Sequence, residues 1–194
     1  MTLVEAIEAR RSVRAFTGEP LRPEHAEAVR AFIASTHPPF GVEASVALVH
    51  SDGGTAPRRL GSYGSVSGAS DFMGLAYANS PLADVAAAHW FERIVLHCTS
   101  LGLGTIWLAG FTRSSFLAQF DVDGARVRYA CPVGYPRDGK ALVERFTTFD
   151  SAKTHARKQP FGALFLQSDF ETPLTPKAAG AYARRRRISS SFGS

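Results

Sequence analysis

The order of patterns along this chain predicts an α+β fold. Helical and strand periodicities are mixed without the regular strand–helix–strand alternation of a doubly wound sheet. One long apolar helical segment lies between short apolar runs bounded by glycine, serine and proline. No internal repeat and no convincing linker interrupts the 194 residues, so one domain over 1–194 is expected.

Thr2 followed by Glu5 has capping-box spacing, and Leu3, Ala6 and Ile7 then form an apolar stripe, which predicts a first helix to about Arg10 or Arg11. Pro20 and Pro23 open a second helix, with Ala26, Val29, Phe32 and Ile33 on one face, and "HPPFG" ends it. "SVALVH" (45–50) and "FMGLAYA" (72–78) read as strands on either side of a long Gly- and Ser-rich loop. The segment 82–101 is the strongest helix signal, with Val85, Ala88, Phe91, Ile94, Val95, Cys98 and Leu101 at helical spacing and Gly102 as its stop. A buried strand over 105–111, a short helix over 112–120 and a strand over 125–135 complete the reading.

Composition narrows the function. At 45% hydrophobic with 14 Phe, the chain can build a full core. No apolar run reaches the roughly 18–20 residues of a membrane span, and the N-terminus lacks a signal-peptide pattern, so a cytoplasmic protein is expected. Cys98 and Cys131 lie inside apolar patterns and read as reduced core thiols, and the six histidines show no metal-ligand spacing. Of the net charge of +5, four units are Arg184 to Arg187, so the basicity is local and no nucleic-acid partner is expected.

Four stretches could carry chemistry. "RRSVRAF" (10–16) places Arg10, Arg11, Ser12 and Arg14 in five positions, where guanidiniums repel one another unless an anion lies among them or water screens them. A forked arginine pair with a serine hydroxyl suits a phosphate monoester, and an exposed charge cluster is the plainer alternative. "LGLGTIW" (101–107) fails as a dinucleotide fingerprint: Trp107 stands where the third glycine belongs, and the stretch leaves a helix for a strand. A helix stop and turn account for Gly102 and Gly104. "HARKQPF" (155–161) adds Arg157 and Lys158, and "ISSSFGS" (188–194) reads on its own as a tail. No nucleophile elbow or carboxylate pair is visible, and His89 and His97 read as packing residues of the long helix, so an enzyme of this sequence would rely on a cofactor.

Together the stretches resemble the nitroreductase family of flavoproteins. "AIEARRSVRAF" is similar to its N-terminal signature, "LGLGTIWLAGF" to its L-G-L-G-T/S-x-W segment with Ala109 for the first glycine of a pair, "CPVGYP" to its V-G-Y-P strand end, and "ARKQPF" to its late basic element. "RRRRISSSFGS" resembles the lead-in to the P-S-S-x-N/G-x-Q-P-W element, as in a divergent subgroup that carries it near the end. Ser189 stands where proline is usual, and the chain stops where Q-P-W would begin. The resemblance implies a nitroreductase-like α+β fold, a mixed central sheet flanked by helices, incomplete at the C-terminus. It implies FMN as cofactor and NAD(P)H as electron donor, with hydride transfer through flavin N5 to a nitro- or quinone-like small-molecule acceptor. Arg10, Arg11, Ser12 and Arg14 would meet the phosphate and ribityl chain, joined by Arg157 and Lys158. Leu108, Ala109 and Gly110 would follow the ring edge, with Ser190, Ser191 and Gly193 in the late element. Ser65, Val66 and Ser67 would line an acceptor pocket or form a plain loop. A homodimer, common in the family, and a site completed within one chain both stay open. The alternative function is a truncated, non-catalytic relative or flavin-binding scaffold.

Overall fold

The structure, a computed structural model, describes residues 1–50, 66–108, 126–137, 166–167, 171–173 and 175. The chain divides into two compact units, Met1–Ser151 and Ala152–Ser194. In the second unit, Leu166 and Pro173 form an antiparallel bridge, and the Gln167 N–H donates to the Thr172 carbonyl at 2.8 Å. All the elements below belong to the first.

Helix α1 (Leu3–Ala9) begins with the capping box that its sequence predicts: the Glu5 N–H donates to Thr2 Oγ1 at 3.3 Å, and the Thr2 N–H donates to Glu5 Oε2 at 2.7 Å. Its apolar stripe is not buried as expected. Ala6 is the one buried residue, while Leu3 and Ile7 stay 57% and 50% exposed. The helix also stops a residue or two early, because Arg10 is already extended, with φ −60° and ψ 129°.

Helix α2 (Pro23–Ser35) has proline in its first turn and Val29 fully buried, with Ala26, Phe32 and Ile33 packed against the same core. Strands β1 (Ala44–His50) and β2 (Asp71–Tyr77) lie close to their expected spans. Helix α3 (Ala83–Ser100) follows, then β3 (Gly104–Thr105) and β4 (Arg126–Gly134). The sheet order is β1-β2-β4-β3 and every pairing of these strands is antiparallel, with a bulge in the β2–β4 register between Leu75 and Ala76. Parallel pairing enters as two single bridges, Ser12 with Thr105 and Ala15 with Ser67.

All seven residues of β2 are buried, which is why it reads as an apolar run rather than an alternating one. Met73, Leu75 and Tyr77 face a large cluster with Phe91, Ile94 and Val95 of α3. Phe72 and Ala76 face a smaller one with Ile106, Leu108, Val127 and Ala130. Asp71 is the charged exception: its carboxylate accepts from the Leu21 N–H at 2.8 Å and lies 3.0 Å from His50 Nδ1.

Helix α3 starts without a side-chain cap, at Leu82 in the left-handed region (φ 65°). A cap contributes about 1 kcal/mol, whereas each large apolar side chain fully buried contributes about 1.5–3 kcal/mol. With nine buried residues, including Trp90, Phe91, Ile94 and Val95, burial decides this helix. Its inner face is turned slightly from the expected one: Ala86, Ala87 and Trp90 are inside, while Val85 is 62% exposed and His89 is also on the surface. His97 packs as expected, stacked on Phe32 with ring centroids 4.2 Å apart. Cys98 and Cys131 are buried free thiols, and burial pushes the Cys98 thiol up to about 12.

Among the described residues, the strand expected over 105–111 has two ladder residues, Gly104 and Thr105; Leu108 rejoins β4 through a single bridge to Ala130. Residues 109–111, the helix expected over 112–120 and the loop over 51–65 lie outside the described residues.

Candidate functional site

After α1 the chain runs extended through the arginine stretch and is stitched to three other segments. The Val13 N–H donates to the Thr105 carbonyl, the Phe16 N–H to the Ser67 carbonyl and the Ser67 N–H to the Arg14 carbonyl, each at 2.9 Å. The Thr17 N–H donates to the Tyr135 carbonyl at 3.0 Å, and the Arg137 N–H to the Ala15 carbonyl at 2.9 Å. Extended backbone sends alternate side chains to opposite faces. Val13 and Ala15 are therefore buried, while Ser12 and Arg14 share the half-buried opposite face.

Two glycines permit this approach. A Cβ on Gly104 would lie 2.8 Å from Val13 Cβ and Cγ2, so the missing side chain is what lets the two segments dock. Gly68, at φ +74°, would place a Cβ 2.2 Å from the Phe16 carbonyl oxygen. Gly104 is thus a contact residue and not merely part of a turn. The stretches around residues 12, 67, 105 and 135 meet in space although they are far apart in sequence.

The arginines have different surroundings. Arg11 is exposed, and Arg10 and Arg14 are half-buried. Arg10 Nε lies 3.0 Å from Glu92 Oε1 on α3, a contact of charges without an aligned hydrogen bond. Glu92 Oε2 accepts the Trp107 indole N–H at 2.7 Å. The Trp107 ring in turn sits edge-on to Phe91 and Tyr129, with centroids 4.8 and 5.4 Å away. Next to the arginine stretch, the Ser67 and Thr105 hydroxyl oxygens are buried and have no hydrogen-bond partner among the described residues. Such groups cost about 1–3 kcal/mol when left unsatisfied, so they mark a place where a ligand oxygen or water would be welcome.

The other expected residues divide. Leu108 is buried, and its N–H and carbonyl both bond to Ala130, at 2.8 and 3.2 Å. Val66 and Ser67 are half-buried, with Ser67 against the arginine stretch. Ser65, Ala109, Gly110, Arg157, Lys158, Ser190, Ser191 and Gly193 lie outside the described residues, as does the run Arg184 to Arg187.

Glu92, Thr105 and Tyr135 have site-building contacts that their sequence positions did not reveal. Tyr135, at the V-G-Y-P strand end, accepts from both the backbone N–H and Nε of Arg22 at 3.1 Å, and its hydroxyl lies 3.0 Å from His25 Nδ1. That bond to the phenol also raises the pKa of Arg22. A signal for Glu92 did exist: it is one of only three charged residues in a helix whose pattern says buried.

Among the described residues, no helix is long and apolar enough to cross a membrane, and no cluster of three or more His, Cys, Asp or Glu could hold a metal. No curated protein matches the chain. Solved structures with a similar fold include a nitroreductase family protein from Clostridium difficile, at 17% identity and a TM-score of 0.64, covering 87% of this chain and 99% of that one. Nitroreductase A from Vibrio parahaemolyticus is 15% identical with a TM-score of 0.63, over 97% of this chain and 85% of that one. A nitroreductase with bound FMN from Bacteroides fragilis is 18% identical with a TM-score of 0.57, over 73% of this chain and 92% of that one. The family described as "Putative TM nitroreductase" matches residues 2–173, a span that includes both the arginine stretch and the glycine-lined segment docked on it. By that match and by its fold, the chain belongs to the nitroreductase family.

Proposed function

We propose that this chain is an FMN-dependent NAD(P)H oxidoreductase of nitroreductase type, acting in the cytoplasm on nitro- or quinone-like small molecules. The observation that carries the reading is the Val13–Thr105 junction, which sets Ser12 and Arg14 on one face beside two buried hydroxyls without partners. Family membership and the FMN bound by the Bacteroides fragilis relative support the choice of cofactor.

The donor set suits a phosphate. A dianion calls for several convergent cations and N–H or O–H donors, and Arg10, Arg11, Ser12 and Arg14 supply both kinds within five positions. When bound, FMN would supply the redox chemistry, hydride acceptance from NADH or NADPH and electron delivery to the acceptor. The protein's own part is to bind and orient. Arg14 and Ser12 hold the phosphate end, Ser67 and Thr105 offer hydroxyls to ligand oxygens, and Leu108 fixes the chain before Ala109 and Gly110, assigned to the ring edge. A homodimer, the assembly the family resemblance leaves open, would be able to cover the exposed Leu3, Val4 and Ile7 of α1.

The test is the visible spectrum of the purified protein, before and after incubation with FMN. The expected result is flavin absorption near one equivalent per chain, bleached by NADH or NADPH without oxygen and restored by a nitroarene or quinone. A colourless protein that cannot be reconstituted overturns the proposal. Flavin that binds but is not bleached by either nucleotide supports the non-catalytic scaffold instead.

A further inference from the structure

Glu92 of α3 touches both segments of the proposed site. Its Oε1 lies 3.0 Å from Arg10 Nε, at the start of the arginine stretch. Its Oε2 accepts from Trp107, two residues beyond Thr105, at 2.7 Å. The carboxylate therefore bridges the outer ends of two segments whose middles join at Val13 and Thr105.

Stability does not account for a charge at this position. The ion pair is partly open to water, with the Arg10 and Glu92 side chains 20% and 39% exposed, and pairs of that kind contribute little. The bond to the indole does not require a charge either, because a glutamine oxygen can also accept it, though less strongly than a carboxylate. What the negative charge does act on is Arg10. A guanidinium carries five N–H donors, so Arg10 can be held from the Nε side and still offer donors to an oxyanion. An arginine left free would have to lose its rotamer freedom when a ligand bound; one already held does not.

We infer that Glu92 is a positioning residue for the phosphate of FMN, acting through Arg10, while the same carboxylate seats Trp107. This rests on the FMN reading above.

The experiment compares FMN with riboflavin, which has the same ring system and no phosphate. Glu92→Gln keeps an acceptor for Trp107 and removes the charge, so unchanged near-ultraviolet circular dichroism will confirm an intact indole environment. The expected result is FMN affinity weakened about fivefold, the scale of one side chain's ordering cost, with riboflavin affinity unchanged. In an Arg10→Ala background, the same Glu92→Gln change should no longer affect FMN binding, as for two residues acting as one unit. Equal losses for FMN and riboflavin, or a loss that persists without Arg10, overturn the inference and leave the flavin reading standing. A parent protein that binds neither ligand overturns both.

Discussion

Helix α3 and the arginine stretch at 10–17 lie side by side in the fold and are held by opposite means. The helix has no side-chain cap at its start and nine buried residues. The stretch buries only Val13, Ala15 and Phe16, and is fixed by backbone hydrogen bonds to Ser67, Thr105, Tyr135 and Arg137. Burial is non-directional and tolerates small shifts, whereas a hydrogen-bonded strand depends on register. The difference teaches that this molecule separates its scaffold, which supplies stability, from a thin extended segment that supplies geometry. Damage to the first should unfold the protein, and damage to the second should spare the fold while ligand binding is lost.

The largest effect is expected inside the helix. Phe91 is fully buried between the sheet and Trp107, so Phe91→Ala should destabilise the protein by about 3–5 kcal/mol, read from denaturant midpoints. A loss below 1 kcal/mol would mean that α3 is not the scaffold.

A smaller and more selective loss is expected at the junction. In Gly104→Ala the new methyl meets Val13 at 2.8 Å and pushes the arginine stretch off β3. Overpacking of this kind costs about 1–3 kcal/mol, and FMN affinity should fall by more than the change in stability accounts for. Equal FMN binding by this variant and the parent would break the division between scaffold and geometry.

The smallest effect concerns pH. Burial lowers the pKa of His97 below its ordinary 6.5, so the unfolded chain takes up the proton more readily than the folded one. The stability linked to this group is therefore present above about pH 6.5 and is lost as pH falls below it. His97 lines a groove of about 230 Å³ between α1, α2 and α3, and a backbone hydrogen bond to Ala28 opposes the shift without outweighing burial. His97→Gln should flatten the melting temperature between pH 7 and pH 5; an unchanged slope would show that His97 does not carry the acid sensitivity.

Elements whose signals are local were legible from the residues. The Thr2–Glu5 capping box, the long apolar periodicity of α3 and the glycine stop at Gly102, with φ +76°, all appear as read. The exposed Leu3, Ile7 and Val85 were misread because an apolar stripe says that a face could be buried, not that a partner reaches it. A seven-residue helix with Ala6 as its one buried residue covers very little. Within the described part of the strand expected over 105–111, Thr105 and Leu108 pair separately with β4, and the run of apolar residues does not record that break.

The candidate site was legible as a list of residue types and not as an arrangement. Arg10, Ser12 and Arg14 stood out by charge density, yet nothing in their spacing says that Glu92, 82 positions later, lies against Arg10. Thr105 and Ser67 look like ordinary loop hydroxyls until their burial is known.

By itself the sequence determined the α+β class, the α1 capping box, the span of the long helix α3 and the resemblance to a flavoprotein family, because caps, periodicity and motif order are written in neighbouring residues. Only the tertiary structure decided which glycine lets Val13 approach, which acid holds Arg10 and which hydroxyls are left without a partner. Those are contacts between residues roughly 50 to 100 positions apart, and their energies exist only once the chain has brought the two sides within a few ångströms.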